Sequence, residues 1–429
     1  MLECQIYAEF PTAAGYDRQR KSAFVRERPA VIVFALFCGD WMSESPEVAK
    51  FSDSIPRTSQ VVMDGMRAGL HIGAQLVVAR DGDQVCDVAI GSARPDSSTE
   101  GESAMRPDTL MLWLSSGKPV TAIAVMQLME CGVLQLDDPV GLHIPEFAAN
   151  GKQDVTIKHL LTHVGGFRFV DLGDASTPWN EIIRRLCVAP LERGWVPGER
   201  AGYHPYTSWY VLGEIVARLS DKPFPEYVRE HIFLPLGMVD CWIGMPESVR
   251  DSYGSRLGVM ANTESRGDVP PTLKPHPWST PEGLIACAPG GNAHGPMRQL
   301  VKLYEMLSAG GMLDGVRVLT PESVALLTAR SRVGMFDETF RHQLDWGLGI
   351  IPNNRRYGID AVPYGYGRHA SDSAFGHSGS QSSVAFADPE HGLCVAVVLN
   401  GTCGEVRHQK RIKSLLNALY EDLGIVRND

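Results

Sequence analysis

The feature that most restricts the fold is a pair of hairpin signals at opposite ends of the chain. Near the start, 74–80 (AQLVVAR) and 84–91 (QVCDVAIG) are strand-like runs joined by Asp81-Gly82-Asp83. Asp-Gly between two such runs marks a tight hairpin. Near the end, 381–388 (QSSVAFAD) and 393–400 (LCVAVVLN) flank Pro389-Glu390-His391-Gly392 in the same way. Between them the patterning is helical. Residues 61–69 read as an amphipathic helix. Residues 118–134 place Val120, Ile123, Ala124, Leu128 and Cys131 on one face, with Gly132 as the stop. The stretches 155–163, 206–219, 224–236, 300–307, 321–329 and 410–423 read as further helices. Strands at both ends and helices in the middle predict an α/β fold of the α+β type. An antiparallel sheet flanked by helices would be built from both ends of the chain, with a large helical insertion. The expected division is an N-terminal extension at 1–55, a sheet domain from 56–118 and 340–429, and a mainly helical domain at 119–339.

The 429 residues allow two or three folding units, and 44% apolar against 21% charged residues is ample for a core. A net charge of −10 argues against a nucleic-acid surface. No apolar run reaches the ~18 residues of a membrane helix. Residues 30–37 (AVIVFALF), preceded by Arg18, Arg20, Lys21, Arg26 and Arg28, have the general shape of a signal peptide. The basic stretch is long and no Ala-x-Ala site follows, so a buried strand or an added N-terminal segment is expected instead. The nine cysteines are scattered without a Cys-x-x-Cys pair, which suits a reducing cytoplasm. A periplasmic or secreted protein stays open on these grounds. There is no His-Glu-x-x-His, no paired cysteine spacing and no glycine-rich phosphate loop, so no metal and no cofactor are expected.

Three short segments can carry chemistry. Ser115-Ser116-Gly117-Lys118 stands at a junction into a helix, where residues three apart share a face. A serine hydroxyl needs a base, and a lysine can be one when burial lowers its pKa. Tyr203 follows the Pro197-Gly198 turn, and a phenol near an ammonium can shuttle a proton. His377-Ser378-Gly379-Ser380 leads into the late hairpin, and Gly379 would let backbone approach a ligand closely. The N–H groups of Ser380 and Ser115 could then face an oxyanion. Each segment alone also has a plain structural reading: a helix cap, a core tyrosine, a Gly/Ser turn.

In order and spacing the three segments resemble the serine β-lactamase and penicillin-binding-protein superfamily. The resemblance extends to class C β-lactamase-like carboxylesterases, D-peptidases and transesterases. That family carries Ser-x-x-Lys, then Tyr-x-Asn, then Lys-Thr-Gly or a variant such as His-x-Gly. Here the order is Ser115…Lys118, Tyr203, His377…Gly379. The phrases at 134–140 (LQLDDPV), 157–165 (IKHLLTHVG) and 234–238 (LPLGM) are also similar. The resemblance covers roughly residues 56–425 and implies a β-lactamase/transpeptidase-like fold. It makes Ser115 the nucleophile and gives Lys118 and Tyr203 the acid–base work. Ser115 and Ser380 would supply oxyanion N–H groups, with His377 and Gly379 lining the substrate site.

Two positions depart from the pattern. Tyr203-His204-Pro205 lacks the asparagine, whose amide in the family helps hold the substrate's acyl amide and the lysine. Proline has no side-chain donor and is expected to do neither; His204 is a candidate substitute. His377 in place of lysine loses a fixed positive charge. The expected activity is therefore hydrolysis of a small ester through an acyl-enzyme at Ser115. A transacylase with an alcohol or amine acceptor, a D-peptidase or β-lactamase acting on an amide, and a non-catalytic acyl-binding protein remain alternatives. An α/β-hydrolase is a weaker one, because Gly376-His377-Ser378-Gly379-Ser380 breaks the Gly-x-Ser-x-Gly pattern at its last position. The partner is a small molecule; the oligomeric state is not legible.

Overall fold

The computed structural model describes residues 46–95, 103–267, 269–359 and 363–427. The segment 30–37 lies outside the described residues.

Both expected hairpins form. Strand β1 (Gly73–Arg80) turns into β2 (Asp83–Gly91) through Asp81 at φ 53 and Gly82 at φ 88. Positive φ at both corners is the type I′ condition, whose twist matches that of paired strands. Four strands come late: β3 (Ile351–Pro352), β4 (Phe375–Ser378), β5 (Ser383–Asp388) and β6 (Leu393–Leu399). All six form one antiparallel sheet in the order β3-β4-β5-β6-β1-β2. β1 pairs with β6 from Ala74↔Leu399 to Arg80↔Leu393, so the two ends of the chain meet inside the sheet.

Side chains alternate between two cores, as the period of two requires. Leu76, Val78, Val384, Phe386, Val395 and Val397 face one side. There they meet α1 (Pro56–Arg67) through Val62 and Met66, and the last long helix through Ile412, Leu415, Leu416 and Leu419. The preceding helix Pro46–Ser54, inside the expected extension, packs on β2 and adds Phe51 to this core. Val77, Ala79, Ala385, Ala387 and Ala396 face the other side. These small residues admit a helix closely, and Met297–Ser308 packs across β1, β5 and β6. That helix lies within 119–339, so part of the expected helical segment serves the sheet.

The helix after Ser115 is α2 (Lys118–Glu130). Its expected single apolar face is a correction. Residues 118–126 are all buried, and Cys131 is exposed. A helix apolar all round is a central one, and α2 packs against α3 (Thr207–Ser220) inside the larger core. The stretch expected as one helix from 224 to 236 is an α turn at Phe224–Val228 that widens to π-helical turns at Arg229–Phe233. Helix Trp179–Val188 was not expected; it starts after Pro178 with no capping side chain to signal it. No helix among the described residues is long and apolar enough to cross a membrane.

Candidate active site

The chain reaches Ser115 through a strained step. Leu114 has φ 51, and one tight turn, Leu114–Gly117, then feeds α2. A left-handed non-glycine residue costs about 1–3 kcal/mol and persists only where its surroundings fix it. They do so here. Trp113 N–H donates to the Ala293 carbonyl at 2.8 Å, and its indole donates to the Gly295 carbonyl at 2.8 Å. Ser383 Oγ donates to the Trp113 carbonyl at 2.6 Å. Leu114, Ser116, Gly117 and Lys118 are buried, and Ser115 is left partly exposed.

Lys118 opens α2, one turn after Ser115, and its Nζ lies 3.0 Å from Ser115 Oγ. The side chain is fully buried. Nζ also donates to the Pro205 carbonyl at 2.8 Å and the Gly290 carbonyl at 2.5 Å. The rings of Tyr203 and Trp209 lie 5.1 and 5.3 Å away. Burial pushes its pKa well below the ordinary lysine value. One expectation is corrected here. Proline at 205 does hold the lysine, because the hold comes from its main-chain oxygen.

Tyr203 OH donates to Ser115 Oγ at 2.7 Å. Its main chain is strung on a buried carboxylate: Tyr203 N–H donates to Asp337 Oδ1 at 3.1 Å. The same oxygen accepts from the N–H groups of Thr339 and Phe340, and Oδ2 accepts from Arg332 at 3.0 Å. The phenol ring is boxed by His163, Phe340 and Trp346, with centroids at 4.7, 4.9 and 5.6 Å. His163, itself at φ 60, accepts the His204 N–H on Nδ1 at 3.0 Å. His204 does not reach the lysine. Its ring sits against Phe167, whose N–H donates to Nε2 at 3.3 Å.

Strand β4 brings the third segment. Gly379 abuts the backbone before Ser115: a Cβ there would lie 2.4 Å from the Trp113 carbonyl oxygen and 2.3 Å from Ser383 Oγ. Ser116 Oγ bridges to the His377 carbonyl at 3.1 Å and Ser383 Oγ at 3.0 Å. His377 is only 1% exposed and packs on Tyr203 and Trp346, so its ring is enclosed rather than presented to solvent. Its Nδ1 lies 2.9 Å from the Ser378 carbonyl. A carbonyl can only accept, so Nδ1 carries the proton. Burial lowers the His377 pKa to about 3. Ser380 follows, exposed, at the corner of a turn.

The fold thus brings Ser115, Lys118 and Tyr203 into direct contact and sets the 377–380 segment against them. Asp337, Arg332, His163 and the Gly290 carbonyl were not expected from the sequence. Main-chain acceptors carry no residue identity, and Asp337 lies 134 residues from the tyrosine it anchors.

The chain is similar to known proteins over most of its length. The family model described as Beta-lactamase matches residues 59–420. Esterase EstB of Burkholderia gladioli is 28% identical, with 80% of this chain and 90% of that protein covered. A penicillin-binding-protein homologue from Caulobacter crescentus superimposes with a TM-score of 0.70 at 31% identity, covering 86% of this chain and 98% of the other. A family VIII carboxylesterase does so with a TM-score of 0.67 at 26% identity, over 88% and 98% of the two chains. A match that spans both ends of the sheet and the serine, lysine and tyrosine between them places this chain in the β-lactamase and penicillin-binding-protein family of serine hydrolases.

Proposed function

We propose that the protein is a carboxylesterase that forms an acyl-enzyme at Ser115. One observation carries the reading: Ser115 Oγ sits between Lys118 Nζ at 3.0 Å and Tyr203 OH at 2.7 Å. A neutral amine has two N–H donors and one lone pair. The carbonyls of Pro205 and Gly290 take the two donors, which leaves the lone pair for the serine proton. Burial favours that neutral form.

In the first half-reaction Ser115 Oγ bonds to the ester carbonyl carbon as its proton passes to Lys118. Negative charge collects on the carbonyl oxygen, opposite the N–H groups of Ser115 and Ser380. The C–OR bond then breaks. The alkoxide leaves as an alcohol, taking a proton relayed through the Tyr203–Lys118 pair. In the second half, water attacks the acyl carbon and gives up a proton to the same pair. The C–Oγ bond breaks, the acid departs and Ser115 regains its hydrogen.

The substrate class follows from charge. His377 is neutral across the physiological range and burial favours the neutral form of Lys118, so among the described residues no fixed cation touches Ser115. Nothing there fixes a substrate carboxylate, which favours an ester with an uncharged acyl part. The missing Tyr-x-Asn amide disfavours amides and β-lactams. A relative named an esterase, from Burkholderia gladioli, fits this reading, while one from Mycobacterium tuberculosis carries both names, esterase and β-lactamase. The test treats the protein with a fluorophosphonate and maps the labelled peptide, then compares p-nitrophenyl butyrate with a chromogenic cephalosporin. Label on Ser115 and turnover of the ester alone are expected. Label elsewhere, or preference for the cephalosporin, would refute the assignment.

A further inference from the structure

Arg411 lies on α4 (Glu405–Asp422), far from Ser115 in sequence, and is only 6% exposed. A buried cation normally sits against a carboxylate. Among the described residues this one sits against main-chain oxygens and two imidazoles. Nη1 donates to the Leu70 carbonyl at 2.5 Å and lies 3.2 Å from His71 Nδ1. Nη2 donates to the carbonyls of Gly401 at 2.6 Å and Gln381 at 2.8 Å, with His408 Nδ1 at 3.5 Å. A guanidinium is suited to such a task, because its donors form a rigid planar fork.

The Gln381 carbonyl is the informative partner. Gln381 follows Ser380 and has φ 50, a left-handed conformation that a glutamine keeps only under restraint. The turn's own closing bond, Ser382 N–H to the Gly379 carbonyl, is long at 3.3 Å. Two outside contacts supply the restraint. Arg411 takes the Gln381 carbonyl, and Gly404 N–H donates to its side-chain Oε1 at 2.7 Å. On the other side of Ser380, Gly379 is wedged against Trp113 and donates its N–H to the Ser383 carbonyl at 2.8 Å.

We propose that Arg411 is a positioning residue for the reaction: by holding the Gln381 carbonyl it fixes the 379–382 turn and so aims the Ser380 N–H at the developing oxyanion. This rests on the reading of Ser380 as an oxyanion donor. The guanidinium touches no reacting atom; it acts through the turn. Its loss lets Gln381 relax to negative φ and turns the Ser380 peptide. Transition-state binding then weakens more than ground-state binding.

The test measures kcat and KM for p-nitrophenyl butyrate on monodisperse Arg411→Met and Arg411→Lys protein, well below the melting temperature of each. Arg411→Met is expected to lose kcat by on the order of 10²-fold, the scale of a misaimed group, with KM changed less than about threefold. Arg411→Lys, which can still reach one carbonyl, is expected to recover part of the loss. A lowered Tm with kcat within about threefold of wild type would make the residue merely structural and overturn the proposal. If Arg411→Met does not fold, Gln381→Val decides, since a β-branched residue opposes positive φ. Undiminished kcat in that variant would overturn the proposal equally. Ser115→Ala separates the two levels. Activity surviving there defeats the esterase reading itself, whereas an inert Ser115→Ala beside fully active Arg411 variants defeats only this inference.

Discussion

The two groups that flank Ser115 are held in opposite ways. Lys118 is fixed by main chain, through the carbonyls of Pro205 and Gly290. Tyr203 is fixed by side chains: the Asp337 carboxylate on its N–H, and His163, Phe340 and Trp346 around its ring. A main-chain clamp is blind to the identity of the residue that supplies it. That explains how proline can stand where the family has asparagine without releasing the lysine. A side-chain clamp is exposed to every substitution along it. The lysine side should therefore tolerate change in its surroundings, and the tyrosine side should not.

The largest effect needs neither clamp. Ser115→Ala should abolish ester hydrolysis, a loss on the order of 10⁴–10⁶-fold, with an unchanged far-UV spectrum and Tm. Lys118→Met and Tyr203→Phe should each lower kcat by at least ~10²-fold, read from steady-state kinetics, as befits lost acid–base help. Near-normal rates in either would break the assignment of roles. Asp337→Ala probes the side-chain clamp. It strands Arg332 in the core and should cost about 3–5 kcal/mol by denaturant unfolding, with kcat falling alongside.

The tyrosine side also contributes to the acid limit of stability, alongside other buried histidines such as His71, His294 and His408. His204 and His377 are held down to about 3 and His163 well below its ordinary value, all chiefly by burial. The fold keeps them neutral, so the unfolded chain binds more protons between its pKa of ~6.5 and the folded values. Their contribution is complete above about pH 6.5 and is lost as pH falls towards 3, at up to about 1.4 kcal/mol per unit for each histidine. His377→Gln should flatten that slope in urea titrations from pH 7 to 4; an unchanged slope would remove His377 from the set. The smallest effect tests the main-chain clamp. Pro205→Ala keeps the carbonyl and should leave kcat within about threefold, whereas a loss comparable to Lys118→Met would mean the proline ring itself matters.

The same contrast governs what could be read in advance. The Ser115–Lys118 pair was legible because one helical turn fixes it locally. The hairpins of β1–β2 and β5–β6 were legible because their turns announce them. Tyr203 and the 377–380 segment became candidates through their order along the chain. The Asp337 anchor and the carbonyls of Pro205 and Gly290 were not legible, since their contacts exist only after distant segments dock. The all-round burial of α2 was hidden too: Lys118 and Thr121 are polar, and their polar groups find partners only once distant segments dock around the helix. Strand β3, two residues long and containing Pro352, carries no strand pattern at all.

The central claim is that a buried, neutral Lys118 takes the Ser115 proton. The pH dependence of Ser115 inactivation by a neutral fluorophosphonate reports this without any assumed substrate. The rate should rise with pH along an acid limb whose midpoint lies well below the ordinary lysine value of about 10.4, and the limb should vanish in Lys118→Met. A midpoint at the ordinary lysine value, or a limb that survives in Lys118→Met, would contradict the account.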